Sequence, residues 1–68
     1  MEIFSEDIRG GKTVEVHTDD HGGYWVGVTI IRSPKDWTFL PRDHYLTESL
    51  AIEAAQSLAK GIRFDAGR

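Results

Sequence analysis

The sequence predicts an α+β domain in which a three-stranded antiparallel sheet packs on one C-terminal helix, in the order β-β-β-α. Three observations favour this fold class. Residues 12–18 alternate apolar and polar side chains, residues 24–32 are rich in β-branched and aromatic side chains, and residues 47–62 repeat apolar side chains at helical spacing. With 68 residues the chain has room for one small core, so we expect a single domain over residues 1–68.

The first two predicted strands form a hairpin. Residues 12–18 read KTVEVHT and residues 24–32 read YWVGVTIIR, and side chains alternate between the two faces of a strand. If Thr18 faces Tyr24 across the loop, the valines of both strands meet on one face: Val14, Val16, Val26 and Val28. A slip of one residue would separate them, so the pattern predicts this register.

The segments that flank the hairpin are less regular. After Arg32, the sequence SPKD is typical of a type I turn, and residues 37–40, WTFL, are expected to form a third strand that Pro41 limits. The sequence RGG in residues 9–11 indicates a turn. Residues 1–10 form an N-terminal segment that is either a short extra strand or a stretch tucked against the core.

The predicted helix covers residues 47–62. Thr47 can cap the first free N–H groups, and Glu48 lies where the helix dipole favours an anion. Gly61 is either the C-cap or a position inside a final turn that Ile62 continues. Apolar residues at helical spacing form one stripe, with further apolar residues beside it: Leu50, Ala51, Ile52, Ala54, Ala55, Leu58, Ala59 and Ile62. We expect this stripe to cover the valine face.

One helix leaves the opposite face of the sheet open. The third strand adds either Trp37 and Phe39 or Thr38 and Leu40 to that face. The expected interaction face consists of His17, Trp25, Thr29, Ile31 and Trp37. An apolar patch of this kind on a small domain favours a protein partner or a homodimer, with residues 1–10 or 42–46 as the alternative cover.

The loop sequence HTDDHGG contains residue types that bind zinc or nickel. The weak metal candidates are His17, Asp19 and His21. His17 ends a strand whereas His21 lies in the middle of the loop, and turn geometry already explains the aspartates and glycines. We therefore expect a solvated hairpin loop, with no metal and no cofactor.

Catalytic motifs are missing from the sequence. It contains no nucleophile elbow, no phosphate-binding loop and no cysteine, and Asp43 beside His44 is weak evidence for a dyad. We therefore expect no enzyme activity.

The net charge of −3 is the wrong sign for a protein that neutralises duplex DNA. Trp25 and Trp37 lie near Lys12, Arg32 and Lys35, and aromatic side chains on a sheet can stack unpaired bases. Binding of single-stranded nucleic acid through the two tryptophans is therefore the alternative function.

Three segments of the sequence resemble those of a known type of domain: IRGGKTVEV, GYWVGVTI and TESLAIEAAQSLAKGIRFD. Over roughly residues 8–65 the sequence resembles a type of small uncharacterised bacterial domain. Such domains pair an R-G-x-x-I-x-V strand with a W-x-A-x-V-x-I strand and end in an EAxxxAxxxAxxxID helix. Gly27 lies where a small residue is usual, whereas Arg63 and Phe64 interrupt the final Ile-Asp. The resemblance implies a hairpin, a short strand and a C-terminal helix, and it carries no activity.

These observations together predict a non-catalytic protein-interaction or accessory module that contacts its partner, or a second copy, through the sheet face around Trp25. The sequence has no long apolar run and no secretory h-region, so we expect a cytoplasmic protein without a membrane segment.

Overall fold

A computed structural model describes residues 2–66 of the chain, with side chains described for residues 2–62. It confirms the α+β class, with an antiparallel sheet and one C-terminal helix. The elements in chain order are β1 (Glu2–Ile8), β2 (Lys12–Thr18), β3 (Tyr24–Ser33), β4 (Asp36–Tyr45) and α1 (Glu48–Ala66). The strands form one sheet in the order β1-β2-β3-β4.

The sheet has four strands rather than three, because the N-terminal segment, for which the sequence left an extra strand open, does form one. The N-terminal segment forms β1, which pairs antiparallel with β2 along its whole length. Phe4 lies opposite Val16 and Ile8 opposite Lys12, so both apolar side chains fall on the face that α1 covers. The pairing also satisfies backbone N–H and C=O groups of β2 that a three-stranded sheet would leave at an edge.

The third predicted strand is longer than residues 37–40. It runs as β4 from Asp36 to Tyr45 and passes through Pro41. Pro41 lies opposite Gly27 on an edge strand, where a missing N–H is tolerated, and the register shifts between Val26 and Gly27. Residues 42–45 therefore extend the edge of the sheet and do not fold over its open side.

The predicted register of the central hairpin is confirmed. Thr18 pairs with Tyr24, and the valines of β2 lie opposite the valines of β3. The loop closes through a hydrogen bond of 3.0 Å from the Asp19 N–H to the Gly23 carbonyl. Gly22 has a φ of 80°, a conformation that favours glycine.

The core lies between the valine face of the sheet and the alanines of α1. Six residues in it have 0–1% exposure: Val14, Val16, Val26, Ala51, Ala55 and Ala59. Their small side chains let the helix backbone approach the sheet closely. Thr47 caps α1, since its Oγ1 accepts a hydrogen bond of 3.4 Å from the Leu50 N–H. Gly61 lies inside the helix, which continues to Ala66.

Within residues 2–66, no helix is both long and apolar enough to cross a membrane.

Candidate interaction face

We call the side of the sheet opposite α1 the open face. Strand register assigns fourteen residues to it: Glu2, Ser5, Asp7, Thr13, Glu15, His17, Trp25, Gly27, Thr29, Ile31, Trp37, Phe39, Pro41 and His44. β1 and β4 lie at the two edges of the sheet, and α1 packs against the valine side. No element within residues 2–66 therefore covers the open face.

The centre of the open face is bridged by two rings from strands that are not neighbours. His17 on β2 stacks on Phe39 on β4, with ring centroids 3.9 Å apart and planes 18° from parallel. The strand between them carries Gly27 at this level, so no side chain separates the rings. A Cβ atom at Gly27 would also run into the backbone carbonyl of Leu40, which shows how closely β4 approaches β3 here. Glycine at this position therefore permits both the bridge and the close strand approach.

A nearly buried carboxylate lies beside this bridge. Glu15 is 3% exposed, although no described element covers its face of the sheet. Its Oε2 accepts a hydrogen bond of 2.6 Å from the Thr13 hydroxyl, and its Oε1 accepts one of 2.6 Å from His17 Nε2. Burial by itself would raise the pKa of Glu15, but the hydrogen bonds from Thr13 and His17 outweigh it and lower the pKa. The carboxylate is thus held in its charged form.

Thr29 completes this polar centre. It lies opposite Thr13 and is 3% exposed. Its hydroxyl adds a smaller contribution to the lowered pKa of Glu15, yet its Oγ1 has no partner at hydrogen-bond geometry among the described residues. The middle of the open face is therefore polar, and neighbouring side chains shield it from solvent. Thr29 is buried there and is unavailable to a partner.

A second polar cluster ties the hairpin loop to β4. Asp19 Oδ1 accepts hydrogen bonds of 2.8 Å from the N–H groups of His21 and Gly23, and its Oδ2 accepts one of 2.8 Å from His44 Nε2. The Gly23 N–H, the His44 side chain and the His21 N–H lower the pKa of Asp19 to about 2. A Cβ atom at Gly23 would come within 2.7 Å of Asp19 Oδ2 and closer still to the His44 ring.

Trp25 packs on this cluster. Its ring meets the His44 ring edge to face, with centroids 4.8 Å apart. Trp25 is 37% exposed and Trp37, at the far end of β4, is 59% exposed. We call the row of rings along the open face the aromatic ridge; it consists of His44, Trp25, His17, Phe39 and Trp37. Its two tryptophans are the parts of the ridge that a partner reaches most easily.

The five residues of the predicted interaction face differ in their exposure to solvent. Trp25 and Trp37 are exposed, Ile31 is half-buried beside Trp37, His17 is half-buried in the bridge, and Thr29 is buried. The sequence reasoning assigned no role to Glu15, Phe39 or His44. The alternation of β4 offers Phe39 as one of two possible sets, but no local signal connects His44 with Asp19, because 25 residues separate them.

The weak metal candidates are not brought together. His17 Nε2 forms a hydrogen bond with Glu15, and Asp19 forms one with the His44 side chain. His21 contacts Asp19 only through its backbone N–H among the described hydrogen bonds. In the described part of the chain, no group of three or more His, Cys, Asp or Glu side chains is placed to hold a metal ion.

Formal charges are segregated along the strand direction. The end of the sheet that holds Trp25 and the hairpin loop, which we call the acidic end, carries Glu2, Asp19, Asp20, Asp43 and Glu48, with Arg42 among them. The end that holds Trp37 and the two tight turns, which we call the basic end, carries Arg9, Lys12, Arg32 and Lys35, with Asp7 and Asp36 among them. A hydrogen bond of 2.9 Å from the Ile31 N–H to the Gly11 carbonyl ties the turn between β1 and β2 to β3.

Comparisons with protein-family models, curated proteins and solved structures find no match to this chain.

Proposed function

We propose that the chain is a non-catalytic protein-interaction module and that the aromatic ridge is its docking surface. The observation that carries the proposal is the exposure of Trp25 and Trp37 on a sheet face that no described element covers. Tryptophans bury large areas and dominate the energetics of many protein interfaces, so an exposed pair on one face favours a protein contact. The fixed centre between them supplies a rigid platform, because the bridge and the hydrogen bonds of Glu15 hold it in one arrangement.

Single-stranded nucleic acid is the second candidate. Trp37 lies at the basic end, beside Arg32 and Lys35, where a phosphate would be attracted while a base stacks on the ring. The other tryptophan is unsuitable, because Trp25 lies at the acidic end with Glu2 on the same row of the sheet. A strand that spans both rings would meet carboxylates over half of its path, so we rank this candidate below a protein partner.

Site-specific photo-crosslinking tests the docking surface. Benzoylphenylalanine in place of Trp37 keeps an aromatic ring at the exposed end of the ridge, and the same residue in place of Leu46 is the matched control. Leu46 is 81% exposed and lies outside the open face, between β4 and α1. After irradiation in cells that express the chain, we expect protein adducts from position 37 and few from position 46. Equal labelling from both positions would refute a docking surface on the ridge.

A fluorescence titration tests the second candidate. An oligothymidylate is added at low and high salt while the tryptophan emission is followed. The protein-interaction proposal predicts no saturable change, whereas salt-sensitive quenching that Trp37→Ala removes would support nucleic-acid binding instead.

A further inference from the structure

We propose that His44 makes the docking surface respond to protons: its protonated imidazole holds the Trp25 ring in place, and its neutral imidazole holds that ring less firmly. The inference concerns regulation of the aromatic ridge, so it rests on the proposed docking function. The observation that carries it is a chain of two contacts. The Trp25 and His44 rings meet with centroids 4.8 Å apart, and His44 Nε2 lies 2.8 Å from Asp19 Oδ2.

The His44 ring is held between Trp25 and the hairpin loop. Register places His44 directly opposite Trp25, so the two side chains share a row of the sheet. The ring of His44 occupies the space that a Cβ atom at Gly23 would need, so it lies against the backbone of the loop. Asp19 holds the ring from the same loop, and this carboxylate is itself fixed by the N–H groups of His21 and Gly23. Asp19 therefore sets the position of the ring on which Trp25 packs.

Protonation changes the contact between Asp19 and His44 without breaking it. Histidine is the residue type that ordinarily changes charge between about pH 5 and pH 8. Nε2 of His44 already carries the hydrogen that Asp19 accepts, so an added proton binds at Nδ1, and the side chain is 35% exposed to water. Asp19 stays ionised in this range, because the Gly23 N–H, the His44 side chain and the His21 N–H lower its pKa to about 2. The contact therefore alternates between a neutral hydrogen bond and a charged one.

The charged form holds the His44 ring more firmly, because a hydrogen bond between ionised groups is about twice as strong as a neutral one. Both partners are partly exposed, which limits the gain to that of a surface ion pair, up to about fivefold in the equilibrium between the held and the released ring. Trp25 loses its packing partner whenever the His44 ring is released. A lower pH should therefore leave Trp25 better ordered, and preorganised side chains favour binding.

Other ionisable side chains lie around this contact. They neighbour His44 in its row of the sheet, in the loop, or along β3 and β4: Glu2, His17, Asp20, His21, Tyr24, Arg42, Asp43 and Tyr45. Arg42 Nε and Asp43 Oδ2 are paired at 3.8 Å, and α1, which carries Glu48, packs against the other face of the sheet. Among these residue types histidine is the one that ordinarily changes charge in the range considered. The other two histidines are therefore the groups from which His44 has to be distinguished.

An NMR titration of the isolated chain from about pH 8 to pH 5 tests the inference. Indole ¹⁵N relaxation gives the released fraction of each tryptophan, and imidazole carbon signals report protonation of each histidine. We expect the released fraction of Trp25 to fall by up to about fivefold, in step with protonation of His44. Trp37 is the internal control, because it lies opposite Ile31 at the far end of the open face and should not respond. Equal responses of the two indoles, or no response of Trp25, overturn the inference without the need for a variant.

Substitutions separate positioning by Asp19 from simple proximity of the two rings. Asp19→Asn keeps the hydrogen bonds of the loop but has no charge for His44, so the Trp25 signal should still shift with pH while its released fraction stays constant. His44→Phe keeps a ring beside Trp25 that takes up no proton, and it should abolish both responses. His21→Phe keeps the backbone N–H that Asp19 accepts, at an exposed position, and should leave both responses unchanged. Amide spectra verify that each variant is folded.

The possible outcomes separate this inference from the proposed function. A response that survives His44→Phe, or that His17→Phe removes instead, overturns the role of His44, and a released fraction that still falls in Asp19→Asn overturns the positioning by Asp19. A Trp25 signal that ignores pH while position 37 gives protein adducts overturns the proton response and leaves the docking function standing. A Trp25 signal that follows His44 while the ridge gives no adducts supports the proton response and overturns the docking function.

Discussion

His17 on β2 and Phe39 on β4 stack across the strand that separates them, with 3.9 Å between their ring centroids. The contact spans β3 at Gly27, where the strand has no side chain. It joins β2 to β4 across β3 on a side of the sheet that no element within residues 2–66 covers, and it lies beside the buried Glu15 carboxylate. The open face is therefore not a plain apolar surface but a fixed polar centre between two exposed tryptophans.

Gly27→Ala should destabilise the fold by about 2 kcal/mol or more, because its Cβ atom would meet the backbone carbonyl of Leu40 and strand β4 would have to move. Gly61→Ala is the matched control. Nothing lies within 4 Å of the Cβ position there, and the residue is inside α1, so this variant should gain about 0.5–1 kcal/mol. Urea denaturation measures both, and destabilisation by Gly61→Ala or tolerance of Gly27→Ala would contradict the described packing.

His17→Phe should raise the pKa of Glu15. Phenylalanine keeps a ring for the stack on Phe39 but cannot donate the hydrogen bond to the carboxylate, while burial continues to raise the pKa. Titration of the side-chain carboxyl carbon by NMR measures the change. His21→Phe, in the exposed loop, is the control and should leave the Glu15 titration unchanged.

The same variant should be less stable at neutral pH by about 1–3 kcal/mol, the usual cost of removing one partner of a charged hydrogen bond. In the wild type the pKa of Glu15 is lowered on folding, so its contribution to stability is present above the unfolded value of about 4.3 and is lost as the pH falls through the folded value. In His17→Phe that contribution shrinks or changes sign. If the free energy of unfolding of His17→Phe equalled that of the wild type at every pH from 7 to 3, the role of His17 would be refuted.

Asp19→Asn should flatten the acid dependence of stability. The pKa of Asp19 is lowered to about 2 in the folded chain, so its contribution is present above the unfolded value of about 3.9 and is lost between that pH and pH 2. Asparagine still accepts the N–H groups of His21 and Gly23 but carries no charge toward His44. Urea midpoints at several pH values should fall more steeply for the wild type than for the variant, and equal slopes would contradict a lowered pKa of Asp19 in the folded chain.

The hairpin and the helix could be predicted from the sequence because their signals are local. The alternation of valines sets the register of Val16 with Val26, and apolar spacing identifies the helical face that contains Ala55. The fourth strand could not be predicted with the same certainty, because β1 mixes charged and apolar residues and gains its stability by pairing with β2. The length of β4 was underestimated because Pro41 was expected to limit the strand. Proline is tolerated in an edge strand, and whether a strand lies at an edge depends on the whole sheet.

The organisation of the open face was beyond sequence reasoning for a similar reason. His17, which binds Glu15, stacks on a ring of β4 across β3, and the contact between Asp19 and His44 joins residues far apart in the chain. The predicted interaction face therefore included Thr29, which is buried. Strand alternation assigns Trp25 to the open face and offers Trp37 with Phe39 as one of two possible sets on β4, which is why both tryptophans could be proposed from the sequence.

The most direct test of the docking surface is site-specific photo-crosslinking from both of its exposed rings. Benzoylphenylalanine replaces Trp25 in one sample, Trp37 in a second, and the exposed Leu46, outside the open face, in a third. The account predicts protein adducts from positions 25 and 37 and few from position 46. Equal labelling from all three positions, or adducts from position 46 alone, would contradict it.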